Sequence, residues 1–221
     1  MKRSYISWSS GKDCAFALSA AKISGDFDII GALTSINASA DRVSMHGVRR
    51  EILLVQLDAV ELKPLLVELP YPCSNEIYEC EMEKSVAQLK AEKIETVIFG
   101  DLFLEDVRAY REKQMETSGI DAKFPLWKRP TQALSREMVD SGLEAYVVTL
   151  NPELLDVGLC GSRYDHAFLD GLPAHIDPCG ENGEFHTLVA NAPCFKHGLT
   201  LKKGETIVRD GFAYTDFELE T

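Results

Sequence analysis

Nothing in the 221-residue sequence approaches the ~20 consecutive apolar residues of a membrane-spanning helix. The opening Met1-Lys2-Arg3-Ser4-Tyr5-Ile6-Ser7-Trp8 is too short and too quickly polar for a signal peptide, so a cytoplasmic protein with no membrane partner is expected. The six cysteines, at 14, 73, 80, 160, 179 and 194, form no CxxC pair. That spacing argues against a zinc site and suits small buried residues in a reducing compartment. Positive charge is scarce, with 23 Lys and Arg against 35 Asp and Glu, a net −12. A partner gripped through a nucleic-acid backbone needs clustered cations, so specific RNA binding is not expected, although a local pocket for one nucleotide remains open. Internal repeats and low-complexity segments are also missing.

What is present is an alternation of strands and helices. Lys2 to Trp8 reads as a first strand, and Cys14 to Ile23 (CAFALSAAKI) as a strong helix closed by Ser24-Gly25. Phe27 to Thr34 is apolar enough for a parallel strand covered on both faces. Helices follow at Val48–Leu62, with a stripe of Ile52, Val55, Ala59 and Leu62, and at Glu76–Glu92, Asp106–Thr117 and Thr131–Ser141. Strands are expected at Leu65–Leu69, Thr96–Phe99 and Ala145–Leu150. The pattern predicts an α/β fold with an open parallel sheet over residues 1–150. After Asn151-Pro152 glycine and proline become frequent. Residues 151–221 are therefore expected to form a smaller α+β lobe, ending in short strands with turns at Lys203-Gly204 and Asp210-Gly211.

The segment richest in chemistry is Ser9-Ser10-Gly11-Lys12-Asp13-Cys14, between the first strand and the first helix. Small residues let an anion approach the backbone, and a helix N-terminus offers free N–H groups and a positive dipole end. Lys12 adds a cation expected to be mobile. Asp13 suits a magnesium ion accompanying a nucleotide. The segment is not a Walker A loop, which would want Gly where Ile6 stands and Ser or Thr where Asp13 stands. Without further support, a plain solvated turn explains it about as well.

The loop resembles the SGGxDS pyrophosphate loop of the PP-loop ATP pyrophosphatases, with Ser10 in place of the second glycine and Cys14 in place of the last serine. Further along stand Gly100-Asp101-Leu102, Asp106-Val107-Arg108 with Arg111, Phe124-Pro125-Leu126-Trp127, Glu137 to Ala145, Cys179-Gly180-Glu181-Asn182-Gly183-Glu184-Phe185-His186-Thr187-Leu188 and Ala192 to Lys196. Together these are similar to the diphthine–ammonia ligase family, also called the diphthamide synthase ATP-binding domain, across nearly the whole chain. The family's pattern has an acidic residue where His186 stands.

That resemblance implies a HUP-type ATP-binding domain and a C-terminal substrate lobe. It implies an amide ligase that adenylates a carboxylate, takes ammonium, and releases AMP and pyrophosphate. The acceptor in the named reaction is diphthine, a modified histidine on an elongation factor. Self-association into a homo-oligomer is left open. Carried onto this chain, Ser9, Ser10, Gly11, Lys12, Asp13, Cys14, Gly100 and Asp101 would hold ATP, with Mg2+ at Asp13. Lys12, Asp13, Glu181 and Glu184 would serve catalysis, and Trp127, Gly161, Asn182 and Thr187 would meet substrate.

Bottom-up chemistry allows blander roles. Glu-Asn-Gly-Glu makes a good polar turn, Asp101 a loop cap and Trp127 a core aromatic. Arg108 and Arg111, three apart on one helix face, suit solvated ion pairs as well as phosphate. His46 could line the site. Two competing functions are a tRNA-modifying PP-loop enzyme and a nucleotide sensor without turnover. The acidic balance and missing CxxC speak against the first, and the second substrate segment against the other.

Overall fold

The computed structural model describes residues 1–116 and 118–220. Five parallel strands make the first sheet: β1 (Lys2–Ser7), β2 (Phe27–Asn37), β4 (Lys63–Leu69), β5 (Thr96–Ile98) and β6 (Asp121–Lys123), in the order β4-β2-β1-β5-β6. A two-residue strand, β3 (Arg42–Val43), joins the far end of β2 antiparallel. This is the sheet of a HUP-type nucleotide-binding fold. The chain leaves β1 toward β2 and later returns to β1's other side at β5. Such a reversal opens a crevice at the carboxyl ends of the strands, where open α/β sheets take their ligands.

Side chains alternate across the sheet. Tyr5, Leu33 and Val97 face Met82, Val86 and Leu89 of α3 (Asn75–Ala91) and Met115 of α4 (Glu105–Glu116). Ile6, Ala32 and Ile98 face the opposite way, toward α1 (Lys12–Ser24) and α2 (Arg50–Val60). The buried stripe of α2 is Ile52, Leu53, Gln56, Leu57, Ala59 and Val60, shifted from the expected stripe, and Val55 is only half-buried. The shift brings a polar residue, Gln56, into the core. The fourth predicted helix ends at Glu116; Thr117 lies outside the described residues.

The second sheet is antiparallel: β7 (Glu144–Leu150), β8 (Phe185–Asn191), β9 (Leu201–Arg209) and β10 (Phe212–Leu219), in the order β8-β7-β10-β9. Two sequence expectations change here. The Ala145–Leu150 strand was expected in the parallel sheet, but β7 pairs antiparallel with β8 and β10. A short apolar run reports burial and not the neighbour's direction. Lys203-Gly204 is no turn and lies inside β9. Asp210-Gly211 is the hairpin turn, with φ of 52° and 82°, the two left-handed residues that a type I′ turn requires. α5 (Thr131–Asp140) and α6 (His166–Gly171) complete this half.

The two sheets share one core. Leu188, Val189, Ala192 and Phe217 of the C-terminal half pack in the same cluster as Trp8, Leu53 and Leu57. At its rim, Asp216 accepts hydrogen bonds from Arg42 (2.8 Å) and from Arg49 Nε (3.1 Å), and Arg49 also pairs with Glu218 at 2.7 Å. Burial alone would raise the Asp216 carboxyl. The hydrogen bonds from Arg49 and Arg42 outweigh it and hold the group down to about 2. Asp216→Ala is expected to cost about 1.5–3 kcal/mol in urea unfolding at neutral pH, the usual range for hydrogen bonds to a charged group. An unchanged midpoint would show that the bridge is ornamental.

Candidate active site

The loop after β1 is held in an unusual shape. Trp8 N donates to Leu33 O at 2.8 Å, prolonging the β1–β2 pairing. Ser10 then turns into the left-handed region at φ 68° and is fully buried. Gly11, extended, is the N-cap residue of α1 and supplies no side-chain cap. A Cβ at Gly11 would lie 2.6 Å from His46 Cε1, so glycine is required there by space. Gly100, at the end of β5, has the same constraint: a Cβ would stand 2.9 Å from the Asp13 carbonyl carbon. The first turn of α1 thus rests directly on the Gly100-Asp101 backbone. Cys14 folds back and donates from Sγ to Gly11 O at 3.0 Å, and burial pushes its thiol up to about 12, so it acts as a neutral donor.

The segment 179–189 closes against this loop. Val189 N donates to Ser10 O at 2.9 Å, and Lys12 N donates to Thr187 Oγ1 at 3.0 Å. Lys12 itself is 1% exposed. Its ammonium donates to Asp13 Oδ2 at 2.8 Å and to Cys179 O, between the rings of Tyr164 and Phe185 at 5.5 and 5.4 Å. The mobile cation expected from sequence is therefore a fixed one, lodged between the two halves. Burial opposes its charge, but Asp13 and Glu181 more than restore it, so the ammonium titrates above its ordinary value. Asp13 is shifted upward by burial against the pull of Lys12, and its Oδ1 is buried without a partner.

The two glutamates of the turn part company. Glu181 reaches across to the first half, where Oε1 accepts from the N–H groups of Leu102 (2.7 Å) and Phe103 (3.3 Å). Burial lifts its carboxyl to about 7, partly offset by those N–H bonds and assisted by Asp13 and Asp101. Glu184 stays within its own turn. It is 3% exposed and accepts from Asp177 N, Asn182 N and Asn182 Nδ2 at 2.9–3.0 Å. Both carboxylate oxygens of Glu184, expected from sequence to be catalytic, are engaged within the turn.

A cavity of about 1260 Å3 opens over the carboxyl ends of the parallel strands and runs to the β9–β10 hairpin. Ser9, Lys12, Asp13, Cys14, Gly100, Asp101, Glu181 and Thr187 line it. Ser10 and Gly11 lie just beneath. Asn182, Gly161 and Trp127, expected to meet substrate, are not among its lining residues. Asn182 is bound to Glu184. Gly161 is a left-handed turn residue packed against Lys203 and Thr215. Trp127 carries the Arg108 guanidinium at 4.7 Å and fixes α4.

Three cavity residues had little signal in the sequence. His46 and His186 stack with centroids 4.7 Å apart, and His46 Nδ1 donates to Thr187 O at 2.9 Å. Burial pushes His46 down to about 4, and burial with the His46 neighbour pushes His186 well below its ordinary value, so the stack is neutral. Arg111 lines the cavity with its Cζ 5.3 Å from the Phe99 ring, and its Nε is buried without a partner. Arg108, by contrast, is spent on Glu112 at 2.8 Å.

Residues 130–218 match the family model of the diphthamide synthase C-terminal domain. The chain is similar to the diphthine–ammonia ligases. It is 34% identical over 101 residues to the diphthine–ammonia ligase of Danio rerio, 42% of this chain and 39% of that protein. It is 28% identical over 118 residues to that of Schizosaccharomyces pombe, covering 52% and 20%, and 22% identical over 132 residues to that of Homo sapiens, covering 56% and 48%. The matched stretch is less than half the length of each of these relatives. The family match begins at 130 and the second sheet at Glu144. Among the described residues no helix is long and apolar enough to cross a membrane, and no group of three His, Cys, Asp or Glu side chains is placed to hold a metal.

The neutral histidine stack gives the site a pH signature. The unfolded chain takes up protons near 6.5 and the folded His46 only near about 4, so stability is intact above 6.5 and is lost as pH falls through that window. His46→Phe should keep the stack and flatten the slope of stability against pH between 6.5 and 4. Parallel slopes for the two proteins in urea titrations would show that His46 is not buried neutral.

Proposed function

We propose that the protein is a cytoplasmic, ATP-dependent amide ligase of the diphthine–ammonia ligase type, which adenylates a carboxylate and then transfers ammonia to it. The observation that carries this reading is Glu181. A carboxyl lifted to about 7 by burial stands in the same cavity as a small-residue loop at a helix N-terminus. One feature suits an anion, the other a cation that must lose a proton.

The loop Ser9–Cys14 would hold the β- and γ-phosphates of ATP on backbone N–H groups. Lys12 holds the loop from below, and Arg111 is the cavity guanidinium still short of a partner, so it supplies the positive charge for the leaving pyrophosphate. Asp13 fits a magnesium ion, since its Oδ1 is buried and unpaired. Magnesium needs only one or two protein carboxylates beside phosphates. The acceptor carboxylate attacks the α-phosphorus, the bond to the β-phosphate bridge breaks, and pyrophosphate departs. Ammonium gives a proton to Glu181, ammonia attacks the acyl carbon, and AMP leaves with the former carboxylate oxygen as the nitrogen sheds a second proton to the departing phosphate. Glu184 serves this chemistry indirectly by shaping the turn that presents Glu181. The relatives' name points to diphthine as the class of acceptor.

Incubation with magnesium ATP, ammonium and a diphthine-bearing acceptor should yield AMP, pyrophosphate and an amide. ADP as the main product would refute the reading, and absence of any turnover would favour a nucleotide sensor. Arg111→Met should weaken ATP binding by about tenfold or more, the worth of a charge-assisted contact, while adenosine affinity stays constant. Equal losses for both ligands would remove Arg111 from the phosphate site. At fixed ammonium, the rate should climb with pH through about 7 and level off as Glu181 ionises. Glu181→Gln should erase that limb and leave the ATP dissociation constant within a few-fold of the wild type.

A further inference from the structure

Gln56 is fully buried in the stripe of α2 that faces the core, where an apolar residue would be the ordinary choice. Its amide is completely engaged. Nε2 donates to Ser10 O at 3.2 Å and to Val189 O at 2.6 Å, while Oε1 accepts from the indole of Trp8 at 3.2 Å. One side chain therefore joins the end of β1, the phosphate loop and β8.

The consequence lies in the peptide between Ser10 and Gly11. In a trans peptide the carbonyl and the following N–H point in opposite directions. The Ser10 carbonyl is drawn into the core by Gln56 Nε2 and by Val189 N. The Gly11 N–H then points away from Gln56 and Val189 and lies against the Cys14 sulfur, a weak acceptor, and no oxygen or nitrogen among the described residues accepts it. The neighbouring Lys12 N–H is already taken by Thr187, whereas Gly11 N–H faces only the weak thiol acceptor, which an anion can displace. Holding it so requires a left-handed φ at Ser10, a conformation that disfavours a residue with a Cβ and persists only where the surroundings enforce it.

We propose that Gln56 is the positioning residue of the phosphate loop: it locks the Ser10–Gly11 peptide with its N–H presented for phosphate, and it does so jointly with β8 of the C-terminal half. Nucleotide affinity is thereby tied to the docking of that half. This rests on the phosphate-loop reading above.

The test is a mutant cycle on Gln56→Met, which keeps the volume and withdraws the polar atoms, and Ser10→Gly, which removes the conformational penalty at φ 68°. Inorganic pyrophosphate, magnesium ATP and adenosine are titrated calorimetrically against the folded proteins. A loop that is competent a tenth of the time binds about tenfold more weakly. Gln56→Met should therefore weaken pyrophosphate and ATP by about tenfold and spare adenosine, and adding Ser10→Gly should recover several-fold of that loss. A thermal midpoint that falls in Gln56→Met while ATP affinity is unchanged, or a loss that Ser10→Gly does not touch, overturns the proposal. Wild-type protein that binds neither pyrophosphate nor ATP overturns the phosphate-loop reading itself, a distinct result. If Gln56→Met fails to fold, Gln56→Glu retains the acceptor for Trp8 and places an ionisable oxygen against two carbonyls. Its ATP affinity should fall as pH rises and that carboxyl ionises, and a flat profile equal to the wild type counts against the lock.

Discussion

The carbonyl of Ser10 is where the two halves of the molecule become one. It belongs to the loop of the first sheet, yet its donors are the backbone N–H of Val189 in the second sheet and the side-chain amide of Gln56 beneath. A buried carbonyl must be paired, and one with two lone pairs can take both donors. Satisfying it fixes the loop and the depth at which β8 lies. The shared hydrophobic cluster, running from Trp8 to Val189, gives this junction its adhesive strength, and the polar contacts give it a register.

Electrostatics follows from the same closure. Bringing residues 179–189 over the loop buries Lys12, Asp13 and Glu181 together, so each feels the others in a poorly solvated space. A buried ammonium is tolerable only when paired. Here Asp13 and the Cys179 carbonyl do the pairing, with two aromatic faces beside them. The same burial lifts the Glu181 carboxyl toward neutrality and pushes the two histidines down. A net charge of −12 on the whole chain thus coexists with a site whose groups are set individually by burial and neighbour. The global sign says little about local chemistry.

Much of this was legible from residue order. The strand–loop–helix at Lys2 to Ser24 is written in β-branched residues, small residues and alanines, and the helix begins two residues ahead of the expected Cys14. The resemblance placed Glu181 in one site with the Ser9–Cys14 loop by giving both a part in catalysis. Other features had no local signal. The antiparallel placement of β7 depends on its partners, which lie 35 to 75 residues downstream in β8 and β10. The split between Glu181 and Glu184 depends on which carboxylate can reach Leu102, a matter of turn geometry at Gly180 and Gly183, both left-handed. Gln56 broke the apolar stripe of α2, and the expected stripe was drawn around it. A lone polar residue at a core position is itself a signal, since burial demands a partner, but the partner's identity came only with the fold.

The departures in the loop from the SGGxDS pattern now have a connected physical account. Ser10 occupies the left-handed position that glycine would take freely, and its hydroxyl is buried without a partner, so the residue is unfavourable on both grounds. Cys14 replaces a hydroxyl donor with a thiol, and that thiol bonds inward to Gly11 O and not outward toward a ligand. Both changes shift the burden of shaping the loop from its own side chains to its surroundings: Gln56 below, β8 alongside, His46 over Gly11 and Gly100 against the first turn. A loop built this way has its shape set by tertiary structure more than by its own side chains. It also leaves the first half dependent on the second for its binding shape, because two of the four supports, β8 and the Thr187-bound His46, are assembled only when the C-terminal sheet is in place.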